Sequence, residues 1–240
     1  MKPGTYPYNE LTPELKEEAL DLYRDSISDE DTIDWNFETA TISNDLEEEF
    51  GLSDVEIKFS GFYSQGDGAS FTGVVTEMSK FLGKIDPGVK ELLERSGSMS
   101  KFDEAVTIRF VRTSDRYLHE NTCQAEIDFD EWNYPELFTK ERKEVPNSIN
   151  STFSYEEYWF LPFGVAFEYY SGGAFRVSIS DLNEKAEAWR NKECGIIYRK
   201  LERIHDDSRS DESLEERMTE NEVEFEVDEV RGKLKVTSIL

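Results

Sequence analysis

From Val55 to Val75, two apolar runs flank a small, polar, glycine-punctuated centre: V-E-I-K-F-S-G-F-Y-S-Q-G-D-G-A-S-F-T-G-V-V. Ile57, Phe59, Gly61 and Tyr63 alternate with Lys58, Ser60, Phe62 and Ser64, the two-residue period of a strand with one buried face. Gly66-Asp67-Gly68 supplies residues that tolerate positive φ, as a tight reversal requires. The stretch reads as the central hairpin of the protein. Two roles for its tip stay open. The glycines serve turn geometry alone, or Ser64, Gln65, Asp67 and Ser70 form a polar cluster at a sheet edge that takes a ligand. No Lys follows the glycines, which argues against a phosphate-cradling nucleotide loop.

Helices precede this hairpin. Thr12-Pro13 combines a capping hydroxyl with a proline at the first helical position. Leu15, Ala19, Leu22 and Tyr23 then share one face, predicting a helix over 13–25. Trp35, Thr39, Ile42, Leu46 and Phe50 recur at helical spacing, and Gly51 stands where a left-handed C-cap belongs. After the hairpin, Asp86-Pro87 opens a short helix through Leu92 and Leu93 that ends near Gly97.

A second hairpin follows. Val106, Ile108 and Phe110 alternate with Thr107 and Arg109. Beyond Ser114-Asp115, the residues Tyr117, His119, Asn121, Cys123, Ala125, Ile127 and Phe129 share one strand face. Residues 130–150 lack periodicity. Aromatics then crowd the stretch from Phe153 to Phe175, with a turn at Ser171-Gly172-Gly173. Ser180-Asp181 caps a long helix carrying Leu182, Ala186, Trp189, Ile197, Leu201 and Ile204 inward, and Ser210 opens a shorter one with Leu214 and Met218. A closing hairpin turns at Arg231-Gly232, its acidic strand facing Lys233 and Lys235. Sequential hairpins between helices predict an α+β fold, an antiparallel sheet covered by helices, in a single domain over residues 1–240.

The block F-S-G-F-Y-S-Q-G-D-G-A-S-F-T-G at 59–73 resembles a phage and prophage family labelled antitoxin of a toxin-antitoxin stability system. Trp35-Asn36-Phe37, Arg116-Tyr117-Leu118-His119, Tyr198-Arg199-Lys200-Leu201-Glu202, Ser210-Asp211-Glu212 and Asn221-Glu222-Val223-Glu224-Phe225 fit the same family in the same order. The resemblance implies a phage-type protein and carries no catalytic residue. Residues from about 130 to 178 have no counterpart in it and read as an aromatic insertion.

Charge narrows the partners. The chain carries net charge −26, concentrated at its flanks. Residues 10–56 hold 17 acids against two bases and residues 202–229 hold 13 against three, while 57–201 are nearly balanced with 23 against 18. Nucleic-acid binding rests on neutralising phosphates with Lys and Arg, so direct binding is not expected. A basic protein or nucleoprotein complex is the partner such a field attracts. Glu14, Glu17, Glu18 and Asp21 on the first helix and Asp45, Glu47, Glu48 and Glu49 on the second are the candidate contacts. The aromatics of the insertion either extend the core or form an exposed patch, in which Tyr158, Trp159 and Phe163 are the candidate apolar anchor. Alternate carboxylates at Glu222, Glu224, Glu226 and Asp228 would lie about 6.6 Å apart on a strand, near the spacing of phosphates, with Lys233 and Lys235 partly cancelling them. No apolar run reaches about 18 residues and no charged-then-apolar leader is present, so a cytoplasmic protein without membrane contact is expected.

Catalytic chemistry has few materials. With two histidines and two cysteines, a zinc site would have to combine His119, Cys123, Cys194 and His205. Cys194 and His205 are about 16 Å apart on a helix and His119 and Cys123 about 13 Å apart on a strand, so no metal is expected. No cofactor motif occurs. The runner-up to a binding protein is a small-ligand or hydrolase-like site in which His119 joins Ser64 or Ser70 and Asp67, if both hairpins share one sheet; a third reading is a structural or assembly protein that oligomerises through the aromatic insertion.

Overall fold

The structure, a computed structural model, describes residues 4–28, 32–114, 118–134, 137–139, 177–228 and 233–238. It is α+β and divides into two compact units. One comprises residues 39–198; the other joins 1–38 to 199–240.

The larger unit is built on a four-stranded antiparallel sheet in the order β2 (Leu52–Phe59), β3 (Ala69–Val75), β4 (Val106–Arg112), β5 (Cys123–Phe129). Both expected hairpins are present, and they share this sheet. The first is shorter than its alternation suggests. β2 ends at Phe59, and residues 60–68 form an irregular loop in place of a strand through Tyr63. The second is also cut: β5 begins at Cys123 after a 3₁₀ turn over Glu120–Thr122, so His119 stands outside the strand. Ser114 is described and Asp115 is not.

Helix α2 (Trp35–Phe50) ends where Gly51 adopts φ 70°, as its sequence requires. The Gly51 carbonyl then accepts from the amides of Thr76 and Glu77, both at 2.9 Å. Three short helices link β3 to β4: α3 (Met78–Ile85), α4 (Pro87–Arg95) and α5 (Met99–Ala105). Asp86 caps α4, its carboxylate accepting from the Val89 amide at 3.1 Å and pairing with Lys185. The long helix α6 (Ile179–Ser208) starts one residue before Ser180, and it is the Ser178 hydroxyl that accepts from the Asp181 amide.

Trp189 of α6 is the centre of the core in this unit. Its ring lies 4.9 Å from Phe50, 5.0 Å from Phe81, 5.1 Å from Phe110 and 5.8 Å from Phe71, mostly edge to face. One side chain therefore joins α6, α2, α3 and two strands. Strands β6 (Phe138–Thr139) and β7 (Val177–Ser178) pair in parallel, and Leu137 and Val177 are buried.

The smaller unit pairs the chain ends. Strand β1 (Gly4–Pro7) runs antiparallel to β8 (Glu224–Asp228), which pairs with β9 (Lys233–Ser238). The closing hairpin has the expected charge register, Glu226 opposite Lys235 and Asp228 opposite Lys233. Helices α1 (Pro13–Ser26) and α7 (Asp211–Glu220) cover it, burying Ala19, Leu20 and Tyr23 with Leu214, Met218 and Phe225. Pro13 starts α1, but the Thr12 hydroxyl makes no capping bond. Ser210 does cap α7.

Candidate functional site

Because α1 buries Ala19, Leu20 and Tyr23, its opposite face is forced outward. Glu14, Glu17, Asp21 and Asp25 fall on that face and are all exposed, whereas Glu18 is half-buried at its side. Asp21 is bridged by Arg24 at 2.8 Å, and Arg24 also holds Asp211. Lys16 is placed over the Tyr8 ring, 5.0 Å from its centroid. Both bases of the helix thus have acceptors, and Glu14, Glu17 and Asp25 form no ion pair among the described residues.

A second acidic row lies on α7, where Glu212, Glu216 and Glu220 are exposed four residues apart. Carboxylates at that interval stack along one face at a rise of about 6 Å. These residues were not among the candidates from sequence, although their i, i+4 spacing opposite Leu214 and Met218 was readable there. The neighbouring Glu215 is occupied: it accepts from the Tyr8 hydroxyl at 2.7 Å. That bond, with burial as the larger cause, pushes the Tyr8 pKa far upward. The smaller unit carries 24 acids against 11 bases, net −13, and the larger unit reaches the same net charge over twice the length.

The acids of α2 divide differently. Glu47 accepts from the Val55 amide at 3.0 Å and Glu49 pairs with Lys84 at 2.8 Å, so both side chains are engaged by the fold. Asp45 and Glu48 remain exposed. Residues Tyr158, Trp159 and Phe163 lie outside the described residues. An aromatic that sequence reading passed over, Trp132, is 91% exposed in the turn after β5.

The glycine loop is ordered by its own polar groups. The Asp67 carboxylate accepts from the amides of Tyr63 (3.0 Å) and Ser64 (2.6 Å), Ser60 donates its amide to the Gly68 carbonyl at 3.0 Å, and Gly66 has φ 101°. Phe62 stacks on Phe59 and leans on Tyr198, leaving Tyr63 79% exposed at the tip. Ser64 and Gln65 are exposed beside it. The loop does meet His119: a Cβ on Gly68 would lie 2.5 Å from the His119 Cβ. His119, expected on the face of a strand, is instead half-exposed ahead of it, with Nδ1 accepting from the Asn121 amide at 3.2 Å. Asp67 orders its own loop, and the Ser70 hydroxyl is fully buried with no hydrogen-bond partner among the described residues. The backbone proximity is real, but the Asp67 carboxylate is engaged by its own loop and the Ser70 hydroxyl is sealed from solvent.

Among the described residues no three His, Cys, Asp or Glu side chains cluster as a metal site. Sequence reading grouped each cysteine with its nearest histidine. The fold instead places Cys194 of α6 to donate a hydrogen bond to Cys123 of β5, both buried and unoxidised. No helix among the described residues is long and apolar enough to cross a membrane.

Residues 35–211 match the family described as "Domain of unknown function (DUF8835)". No curated protein and no solved structure matches the chain.

Proposed function

The chain belongs to the DUF8835 family, and for it we propose a non-enzymatic interaction protein that binds and inhibits a basic, nucleic-acid-binding host protein in the host cytoplasm. The observation that carries this reading is the pair of exposed acidic rows on α1 and α7, Glu14, Glu17 and Asp25 on one and Glu212, Glu216 and Glu220 on the other. Rows of carboxylates on rigid helices offer a basic groove a regular set of charges, in the manner of a phosphate backbone. The resemblance of the 59–73 block to phage proteins directs the proposal toward a defence effector such as a CRISPR complex, or a toxin.

Like charges four residues apart on a helix repel, so such a row costs folding stability that a neutral surface would retain. An attractive partner offsets that cost and gains a faster encounter. The test is a tagged pull-down from nuclease-treated host lysate with the native chain and with Glu212, Glu216 and Glu220 changed to Lys, eluted across a salt series. Retention of one basic protein by the native chain alone, with release at moderate salt, supports the reading. Equal retention by both chains, or elution independent of salt, overturns the electrostatic mechanism.

A further inference from the structure

Helix α6 is fastened to β5 and the turn before it by two polar side chains. Glu187 accepts from the Ala125 amide at 2.7 Å, while Arg190 donates to the Glu120 carbonyl and to Glu187. Residues 187, 190 and 194 are spaced by three and four, so they share one helix face. Cys194 is the next residue of that face along the helix. On the strand, Cys123 lies between the two anchor points at 120 and 125. Its thiol donates to the Phe71 carbonyl at 3.0 Å and is hydrogen-bonded to Cys194. The two sulfurs are 2% and 1% exposed by residue.

Two free thiols in contact across a helix–strand seam have the arrangement from which a disulfide closes, provided that an oxidant reaches them. We propose that Cys123 and Cys194 form a modification site, closed to an internal disulfide by hydrogen peroxide as the two-electron oxidant. In the first step the Cys123 thiolate attacks a peroxide oxygen. An S–O bond forms, the O–O bond breaks, and the departing hydroxide takes up a proton to leave as water. In the second step the Cys194 sulfur attacks the Cys123 sulfenic acid. The S–S bond forms, the S–O bond breaks, and a second water leaves with the Cys194 proton. Two thiols lose two electrons, and the peroxide is reduced to two waters.

Cys123 is the first nucleophile on electrostatic grounds. The hydrogen bond from Cys194 lowers its pKa and the Arg190 guanidinium adds to this, whereas the same bond and burial push Cys194 upward. Because both thiols are sealed, reaction waits on local opening of the α6–β5 seam, and the disulfide then holds that seam shut. The modification would tie together the helix that carries Trp189 and the edge strand of the sheet.

The experiment treats the full chain with hydrogen peroxide at urea concentrations below the unfolding transition. Remaining thiols are alkylated after denaturation, and tryptic peptides are analysed without reductant. The expected result is loss of both alkylatable thiols, a monomeric Cys123–Cys194 cross-linked peptide, and a rise in Tm that dithiothreitol reverses. Two alkylated cysteines after treatment, cross-links only between chains, or sulfinic acid without a cross-link would each overturn the proposal. Cys194→Ala should stop oxidation at a dimedone-reactive sulfenic acid on Cys123. If that variant does not fold, the peptide readout on the native chain still decides.

Discussion

The backbone amide of Val55 donates to the side chain of Glu47 at 3.0 Å, so an acid from helix α2 occupies the free edge of strand β2. β2 is one edge of the four-stranded sheet, and at the other edge the Ala125 amide of β5 donates to Glu187 of α6 at 2.7 Å. Each edge strand thus has an amide covered by a helix carboxylate. Near Val55 the edge is also interrupted by a bulge, with Asp54 at φ 55°. Exposed edge amides recruit other strands, and both devices discourage that.

Replacing Glu47 with Ala leaves the Val55 amide without its acceptor. Since the site is half-buried, the loss should be about 1 kcal/mol in urea unfolding, with concentration-dependent association in light scattering. Glu48→Ala on the same helix, where no such bond exists, should change stability by no more than about 0.5 kcal/mol. Equal effects of the two substitutions would mean that the edge bond contributes nothing.

Gly68 has no room for a methyl group, because a Cβ there meets the His119 Cβ and Cα at 2.5 and 2.9 Å. Gly68→Ala should therefore cost about 1–3 kcal/mol, read as a lowered Tm. Replacing the histidine cannot relieve the contact with its own Cα, so His119→Gly should rescue the variant only in part. Full stability of Gly68→Ala alone would show that the turn over Glu120–Thr122 yields freely.

Glu193 on α6 is 6% exposed, and its pKa is raised, first by burial and further by the nearby Glu49, against Lys192 and Lys84. A raised carboxyl pKa means that the folded state holds its proton to higher pH than the unfolded state. Stability from this group is therefore present below the ordinary Glu range and falls as pH rises through the folded pKa. Glu193→Gln should raise Tm at neutral pH, and the gain should disappear on acidification below about pH 4.5, the ordinary value. A gain independent of pH would assign the effect to packing.

For the α7 row, stability and binding should move in opposite directions. Glu216→Lys replaces two like-charge i, i+4 neighbours with attractive ones, which should add a few tenths of a kcal/mol to the helix. With Glu212→Lys and Glu220→Lys it should slow association with the basic partner about tenfold or more at low salt. Stopped-flow rates across a salt series check this; unchanged rates would remove the row from the interface.

Local rules made much of the fold readable. Gly51, Asp86 and Ser210 mark helix boundaries because caps and left-handed φ are properties of one or two residues. The alternation in β4 and β8 and the inward face of α6 around Trp189 follow from periodicity. Short pieces escaped: α3, α5 and β1 have eight, seven and four residues, too few for a period to stand out. Alternation also overran its strand at Tyr63 and at His119. Asp67 and the close packing of Gly68 on His119 set a loop and a turn there.

For the site, the sequence by itself determined that the flanks are acidic and that helical spacing collects their carboxylates outside an apolar stripe. Which of those acids are available was decided by tertiary structure alone: Glu47 is spent on Val55, Glu49 on Lys84 and Glu215 on Tyr8, while the α7 row is left exposed. Tertiary structure also paired β1 with β8 across almost the whole chain and Cys123 with Cys194 across a sheet and a helix. Periodicity and capping act between residues a few positions apart. Contacts between distant segments arise when each buries its apolar face against the other, and no spacing within either segment records its partner.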